Sequence, residues 1–314
     1  MVRLDGDVRW STLCRRTESG LFRGWLLPWC WGVVFCLGAP TAQALTGGAG
    51  PSEVLAEPAW AAVGSLDVAG QLFSAILIGR QHVLTAAHVV NGANPALIRF
   101  RSAAAEGFSS AATAVQVNPV FTGNTAHNTP GDPSVHADLA IVRLAQPAPA
   151  SIPTARLFSG PLLGRVLTLV SHGGSTTLYT TGENRADVVF PDFLGRPATY
   201  LFDFDGPDLS NNRLGPPVPA NGTLGADREA TLANGDSGSA AFVRFDGQWY
   251  LAGVNTFSIT FGAPGGSAAM AGKGGGGVVL GDHAAWMREV LSAPAPVAGA
   301  ADAPGRPGTR IQKP

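Results

Sequence analysis

Asn234-Gly235-Asp236-Ser237-Gly238-Ser239 is the stretch on which the reading of this 314-residue chain turns. A serine stands beside one glycine and two residues from another, in a polar turn between two apolar stretches. Glycine permits backbone shapes that other residues resist, so such a turn exposes the hydroxyl. It also lets the N–H groups of Gly235 and Ser237 converge on one point. Two donors aimed at one point can stabilise a developing oxyanion, and losing one costs on the order of a hundred- to a thousandfold in rate. Two further segments lie upstream, Leu84-Thr85-Ala86-Ala87-His88 and Asp138-Leu139-Ala140-Ile141-Val142. A serine hydroxyl is a weak nucleophile until a base takes its proton, and histidine is the natural base near neutral pH. A carboxylate must then hold the imidazole in one tautomer. His88, Asp138 and Ser237 supply these three residue types.

The chain order is His, Asp, Ser. An α/β-hydrolase places its serine first and its histidine last, and the subtilisin order also differs. Thr85-Ala86-Ala87-His88, Asp138-Leu139-Ala140 and Gly235-Asp236-Ser237-Gly238 resemble the three signature segments of the chymotrypsin/trypsin-like serine peptidases. The resemblance runs from about residue 45 to 291 and is closest to secreted bacterial members without disulfides. It implies an all-β fold of two packed six-stranded antiparallel β-barrels with a C-terminal helix. It implies that Ser237 attacks the scissile carbonyl, that His88 serves as base and then acid, and that Asp138 orients His88. Gly235 and Ser237 would form the oxyanion hole. The alternative is a catalytically inactive binding protein on the same scaffold.

The resemblance also points to a substrate cleft. Thr231 falls at the base of the family's primary pocket, where members that select Lys or Arg carry aspartate. Thr231 is uncharged, so a small or medium uncharged residue before the cut is expected. In another register Asp227 or Glu229 enters the pocket instead. Thr256 falls where members have serine, and its hydroxyl is expected to reach Asp138. Ser258 falls on the pocket wall, where many members have glycine. One departure follows the nucleophile position: Ser239-Ala240 stands where the family has Gly-Pro.

Composition agrees with a globular extracellular enzyme: 45% of residues are hydrophobic and only 14% charged. A net charge of −1 gives no reason to propose a nucleic acid or an anionic membrane surface as partner. Arg15, Arg16 and Arg23 precede an apolar run over 24–39, and Ala42-Gln43-Ala44 is a small-x-small cleavage site. Residues 1–44 are therefore read as a signal peptide, with a retained anchor as the alternative. The protein is expected to be secreted, extracellular or periplasmic, with no stable membrane association after cleavage. Cys14, Cys30 and Cys36 all precede the cut, so a mature chain would hold no disulfide. Animal family members carry a bridge where Phe73 and Val89 stand here. Cutting after Ala44 leaves Leu45-Thr46-Gly47-Gly48, which resembles the Ile-Val-Gly-Gly start of activated members, whose α-amino group pairs with the aspartate before the nucleophile. Asp236 holds that place. Signal cleavage itself is then expected to create the activating terminus, and extension by one residue to abolish activity.

The peptidase domain is assigned to 45–292, with an inter-barrel connector near 146–160 and a disordered Pro/Ala/Gly-rich tail over 293–314. Short strands are expected at 72–78, 82–84, 96–100, 114–117 and 139–144, then at 165–171, 240–245 and 249–256. Asp246-Gly247 reads as a hairpin turn. Asp282 is expected to cap a helix carrying Trp286, Met287, Val290 and Leu291 on one face. Residues 272–277 are glycine-rich and read as a loop, without the Lys-Ser ending of a phosphate-binding loop. The acidic turn 203–208 faintly resembles a calcium loop but is read as solvated. His82, His127, His136, His172 and His283 show no zinc spacing, so no metal site and no cofactor are assigned. Asp132, in a Pro-Gly turn, is a weaker rival to Asp138. The partner is a protein or peptide substrate.

Overall fold

The computed structural model describes residues 45–52, 56–102, 107–123, 132–205, 212–214, 222–225, 228–261 and 272–293. The signal segment, the tail and residues 206–208 of the acidic turn lie outside them, as does His127.

Short β-branched and apolar runs, split by polar turns, form the first barrel. Its strands are β3 (Val63–Val68), β4 (Gln71–Gly79), β5 (His82–Thr85), β6 (Ile98–Ser102), β7 (Ser109–Val117) and β8 (Ala140–Leu144), all antiparallel and closed in the order β3-β4-β5-β8-β7-β6. Leu66, Ile76, Val83, Leu84, Phe100, Ile141 and Val142 belong to one core cluster and are almost wholly buried, with successive residues such as Val83 and Leu84 on opposite faces of the sheet. The strand expected at 96–100 begins later, because Pro95 opens a 3-10 turn, Pro95–Leu97, capped by the Asn94 side chain. Phe73 and Val89 pack into the same core cluster.

The second sheet runs β11-β12-β16-β15-β14-β9-β10-β2. Its ranges are β2 (Ala49–Ser52), β9 (Val166–Ser171), β10 (Tyr179–Arg185), β11 (Val188–Pro191), β12 (Pro197–Asp203), β14 (Ser239–Phe245), β15 (Gln248–Thr260) and β16 (Lys273–Val279). The six inner strands correspond to the expected second barrel, although their hydrogen-bonded ladder is open between β10 and β12, and β2 and β11 extend its edges. The Asn184 amide ties β10 to β12 by donating to the Asp203 carbonyl at 2.7 Å. It also donates to Ala230, in the short β13 (Ala230–Thr231), which pairs with β1 (Thr46–Gly47). The Asp246-Gly247 turn closes β14 onto β15, with positive φ at both residues, as a two-residue hairpin requires. This is the two-barrel, all-β fold expected.

The glycine-rich segment is not a loop. Over 274–277 it forms most of β16, between β12 and β15. A Cβ at Gly276 would collide with the Tyr200 carbonyl oxygen, and one at Gly277 with that of Val254. Glycine is used here for close packing, which periodicity cannot reveal. The terminal helix α3 (Ala284–Ser292) also departs from expectation. Asp282 lies in the preceding 3-10 turn and makes no cap; its carboxylate sits 3.7 Å from Arg196. Met287, Trp286 and Val290 join the cluster built from both barrels, so α3 is not confined to the second.

The acidic turn is not solvated where it is described. Asp203 and Asp205 are 2% exposed, beside Asp187 and Glu229 at the same exposure. Two backbone amides, of Arg213 and Leu214, donate to Asp203. Burial, then the neighbouring Asp203 charge, pushes the Asp187 carboxyl up to about 8 and that of Asp205 up to about 7. A carboxyl that holds its proton more tightly when folded stabilises the fold most at low pH. That contribution is lost as pH rises from the unfolded value of about 4 toward about 8. Asp187→Asn should therefore raise the melting temperature at pH 9 and change it little at pH 5. A pH-independent difference in thermal denaturation would contradict this account.

Candidate active site

The first barrel presents two of the three candidate residues. Strand β5 ends at Thr85, and a single helical turn, α1 (Ala87–Val90), carries His88. The turn is anchored by Ala87, Val89 and Val90, all buried. Asp138 follows another short helix, α2 (Pro133–His136), just before β8. Asp132, the rival carboxylate, caps α2 by accepting from Ser134 N–H at 2.8 Å. It has a structural task and lies outside the array.

Asp138 grips His88 twice. Its Oδ1 accepts the His88 backbone N–H at 2.8 Å, and its Oδ2 lies 2.6 Å from Nδ1. An ionised carboxylate can only accept, so Nδ1 carries a proton and the neutral ring offers Nε2 as acceptor. Nε2 lies 2.9 Å from Ser237 Oγ. The three side chains thus form one hydrogen-bonded line across the barrel interface. Asp138 is 8% exposed and His88 37%, which leaves one ring edge open to solvent. Burial opposes charging of the imidazole, but the Asp138 charge and hydrogen bond outweigh it and raise the His88 pKa above its ordinary value.

The turn that carries Ser237 is fixed by close approach. Gly235 has φ +97° and Gly238 φ +83°, both in the left-handed region. A Cβ at Gly238 would collide with the Ser74 carbonyl and the Thr85 hydroxyl, so only glycine fits. Gly238 N–H donates to the Asn255 carbonyl, Ser74 N–H to the Ser237 carbonyl, and Asp236 N–H to Ala233. The N–H groups of Gly235 and Ser237 donate to no protein acceptor among the described residues.

The other expected site residues fare differently. Thr256 is buried, but its hydroxyl has no hydrogen-bond partner, so the expected bond to Asp138 is not made. Ser258 is exposed on β15, opposite Gly275 of β16. Thr231 is 1% exposed, paired with Thr46 in the β1–β13 ladder. Sequence reasoning missed Leu232. A Cβ on Gly275 would stand 2.9 Å from Leu232 Cδ1 and from Phe202 Cζ, so these side chains fill the space beside the Ser258–Gly275 pair. An apolar residue directly after the assigned pocket base was the available signal.

The N-terminal segment reaches the site. Leu45 is 2% exposed and its N–H donates to Asp236 Oδ2 at 2.9 Å.

The profile of the trypsin-like peptidase domain matches residues 73–254, more than half of the chain, and the chain belongs to that family. It is thus a peptidase-type hydrolase domain, whose substrates are proteins or peptides. Comparison with curated proteins finds no match.

The His88 environment carries a pH prediction. A base works when neutral, so kcat/KM should rise through a His88 limb lying above the ordinary value of about 6.5. Asp138→Asn removes the raising influences and leaves burial, so the limb should move to lower pH while kcat falls by about ten-thousandfold. A pH–rate profile unmoved by that substitution would count against the assignment.

Proposed function

We propose that this protein is a secreted serine endopeptidase that cuts peptide bonds through an acyl-enzyme intermediate. The observation that carries the reading is the unbroken line from Asp138 Oδ2 through His88 to Ser237 Oγ. Ser237 Oγ attacks the scissile carbonyl as His88 Nε2 takes its proton. The oxyanion that forms is received by the Gly235 and Ser237 N–H groups. His88 then protonates the leaving amine, and the acyl group stays on Ser237. Water, deprotonated by His88, attacks that ester, and the proton returns to Ser237 Oγ as the acid product leaves. Asp138 keeps Nδ1 protonated and stabilises the imidazolium at each transfer. A non-catalytic binding role would leave this alignment, and the free amides beside it, without a task.

Secretion rests on the charged, apolar and small-x-small order of the first 44 residues. Among the described residues no helix is long and apolar enough to cross a membrane. For specificity, Leu232 is the residue that restricts the side chain before the cut, with Thr231 and Ser258 offering no charge. Small uncharged side chains fit such a site; Thr231, Leu232 and Ser258 supply no counter-ion for Lys or Arg, and Asp227 lies outside the described residues.

The decisive measurement is labelling by a fluorophosphonate probe of the wild type beside Ser237→Ala. Labelling that needs Ser237 is expected; its absence in folded protein would overturn the catalytic reading. A peptide-library profile should show Ala, Gly, Ser or Val before the cut, and Leu232→Ala should extend it to larger apolar residues. A profile led by Lys or Arg would refute the specificity assignment.

A further inference from the structure

Asp138 lies in a run of chain with weak backbone bonds of its own. Its N–H reaches the Val135 carbonyl only at 3.5 Å, and the turn beyond it is held by Leu139 N–H on the Ala137 carbonyl at 2.7 Å. The carbonyls of His136 and Leu139, on either side of Asp138, are met from elsewhere. Asn118, just past the end of β7 and 2% exposed, donates its backbone N–H to the Leu139 carbonyl at 2.9 Å. The His136 carbonyl lies 3.0 Å from His283 Nε2, and His283 Nδ1 lies 2.9 Å from Asn118 Nδ2. One asparagine and one histidine thus close a ring of bonds around the segment that carries Asp138.

The chemistry of these groups fixes the direction of each bond. A carbonyl can only accept, so His283 Nε2 carries the proton. An amide NH2 can only donate, so Nδ1 is the acceptor and the ring is neutral. Asn118 Oδ1 accepts Val120 N–H at 3.0 Å, which sets the amide the right way round. A protonated His283 would lose its bond to Asn118. Burial, the nearby His136 ring and the Arg196 charge keep the His283 pKa below its ordinary value, against the His136 carbonyl bond and Asp282. Burial lowers the pKa of His136 as well, despite Asp192 and Asp132 nearby.

The ring of bonds stands on the C-terminal helix. His283 ends the 3-10 turn Gly281–His283, and α3 follows at once. Met287, Trp286 and Val290 seat α3 in the shared core, and Asp282 lies 3.7 Å from Arg196, which directly precedes β12. The turn is therefore tied to the second barrel while its histidine reaches the first.

We propose that His283 and Asn118 are positioning residues that hold the Asp138 segment where its two bonds to His88 require it, which makes the C-terminal turn a part of the active site. The inference rests on the serine-peptidase reading above and extends it to residues that touch neither substrate nor the reacting atoms. Both act through the backbone around Asp138. The Asp138 oxygens meet the His88 N–H at 2.8 Å and Nδ1 at 2.6 Å, so a small shift of the segment spoils both contacts.

The test follows the rate of Ser237 labelling by a fluorophosphonate probe against pH, on protein expressed from the full chain. The forms compared are wild type, His283→Ala, His283→Gln, Asn118→Ala and Val290→Ala. His283→Ala should slow labelling by about ten- to a hundredfold, the scale set by ångström displacements of a catalytic group. The Asp138 charge and hydrogen bond raise the His88 pKa against burial, so the His88 limb should move to lower pH in that variant. Glutamine carries an acceptor and a donor on its terminal amide, so His283→Gln should recover most of the rate and return the limb. Asn118→Ala keeps the backbone bond to Leu139 and should give a smaller loss with a shift of the same sign, which keeps the test open should His283→Ala not fold. Val290→Ala loosens the helix and leaves the ring of bonds intact; it should lower the melting temperature without changing the labelling rate. A wild-type rate and an unmoved limb in His283→Ala, or an equal loss in Val290→Ala, would overturn the proposal. If the wild type does not label, the peptidase reading falls. Histidine NMR titration then decides the positioning role by itself, since a His88 pKa equal in wild type and His283→Ala would sink it.

Discussion

The buried carboxylate of Asp236 is the constraint to which this architecture answers. A negative charge removed from water is tolerated only where donors meet each oxygen, since an unpaired one costs several kcal/mol, of order, in a low-dielectric interior. Three donors meet Asp236, and they come from three places: Leu45 before β1, Ser171 at the end of β9, and Ala233 within its own turn. Each adds a polar tie to a segment that strand pairing or apolar burial also holds. The Leu45 contact anchors β1 onto β13, the Ser171 contact brings residues 171–174 against the nucleophile turn, and the Ala233 contact tightens that turn. Gly173 and Gly238 are the points where the backbones come too close for a side chain.

The active-site line depends on the same packing at one remove. His88 and Asp138 belong to the first barrel and Ser237 to the second. Their alignment therefore requires the two barrels to be fixed against each other to within a few tenths of an ångström. The shared core does this with Val170, Phe242, Val254 and Met287 packed among first-barrel residues. Polar contacts refine it, chiefly Ser74 N–H to the Ser237 carbonyl and the Ser74–Ser171 hydroxyl pair. Tyr200 and Asn255 do similar work inside the second barrel, where the Tyr200 hydroxyl donates to Asn255 Oδ1 at 2.7 Å and Asn255 donates to Ser239 Oγ at 2.9 Å. The residue after the glycine of the nucleophile turn, Ser239, departs from the family pattern and is used as an acceptor in this chain of bonds.

The second barrel also stores charge away from the reacting line. Asp187, Asp203, Asp205 and Glu229 are buried together, with backbone amides as the donors that meet Asp203 and Glu229. Burial pushes the Asp187 and Asp205 carboxyls of this cluster up toward neutral pH, in surroundings unlike those of Asp138. That residue faces a histidine and sits closer to solvent. The same residue type thus meets two environments, a crowded buried cluster in one place and an imidazole partner in the other.

The sequence by itself determined the family, the chain order of His88, Asp138 and Ser237, five of the six first-barrel strands (β3 went unread) and the Asp246-Gly247 hairpin. These are local: motifs a few residues long, alternating apolar residues, and a turn that needs positive φ. What it left open was everything decided by distant neighbours. The strand at 273–279 reads as a loop because glycine has no propensity to show; it is a strand because Tyr200, Phe202 and Phe257 lie flat against it. The acidic turn reads as solvated because acids prefer water, yet backbone donors far along the chain bury it. Thr256 was assigned a bond that its buried hydroxyl does not make, and Leu232 was passed over because an apolar residue carries no chemistry until its neighbours are known. Only the tertiary structure could bring Ser74 and Ser171, almost a hundred residues apart, into contact with each other and with Asp236. Hydrogen bonds act over about 3 Å, and no pattern along a chain encodes which distant hydroxyl will stand at that distance.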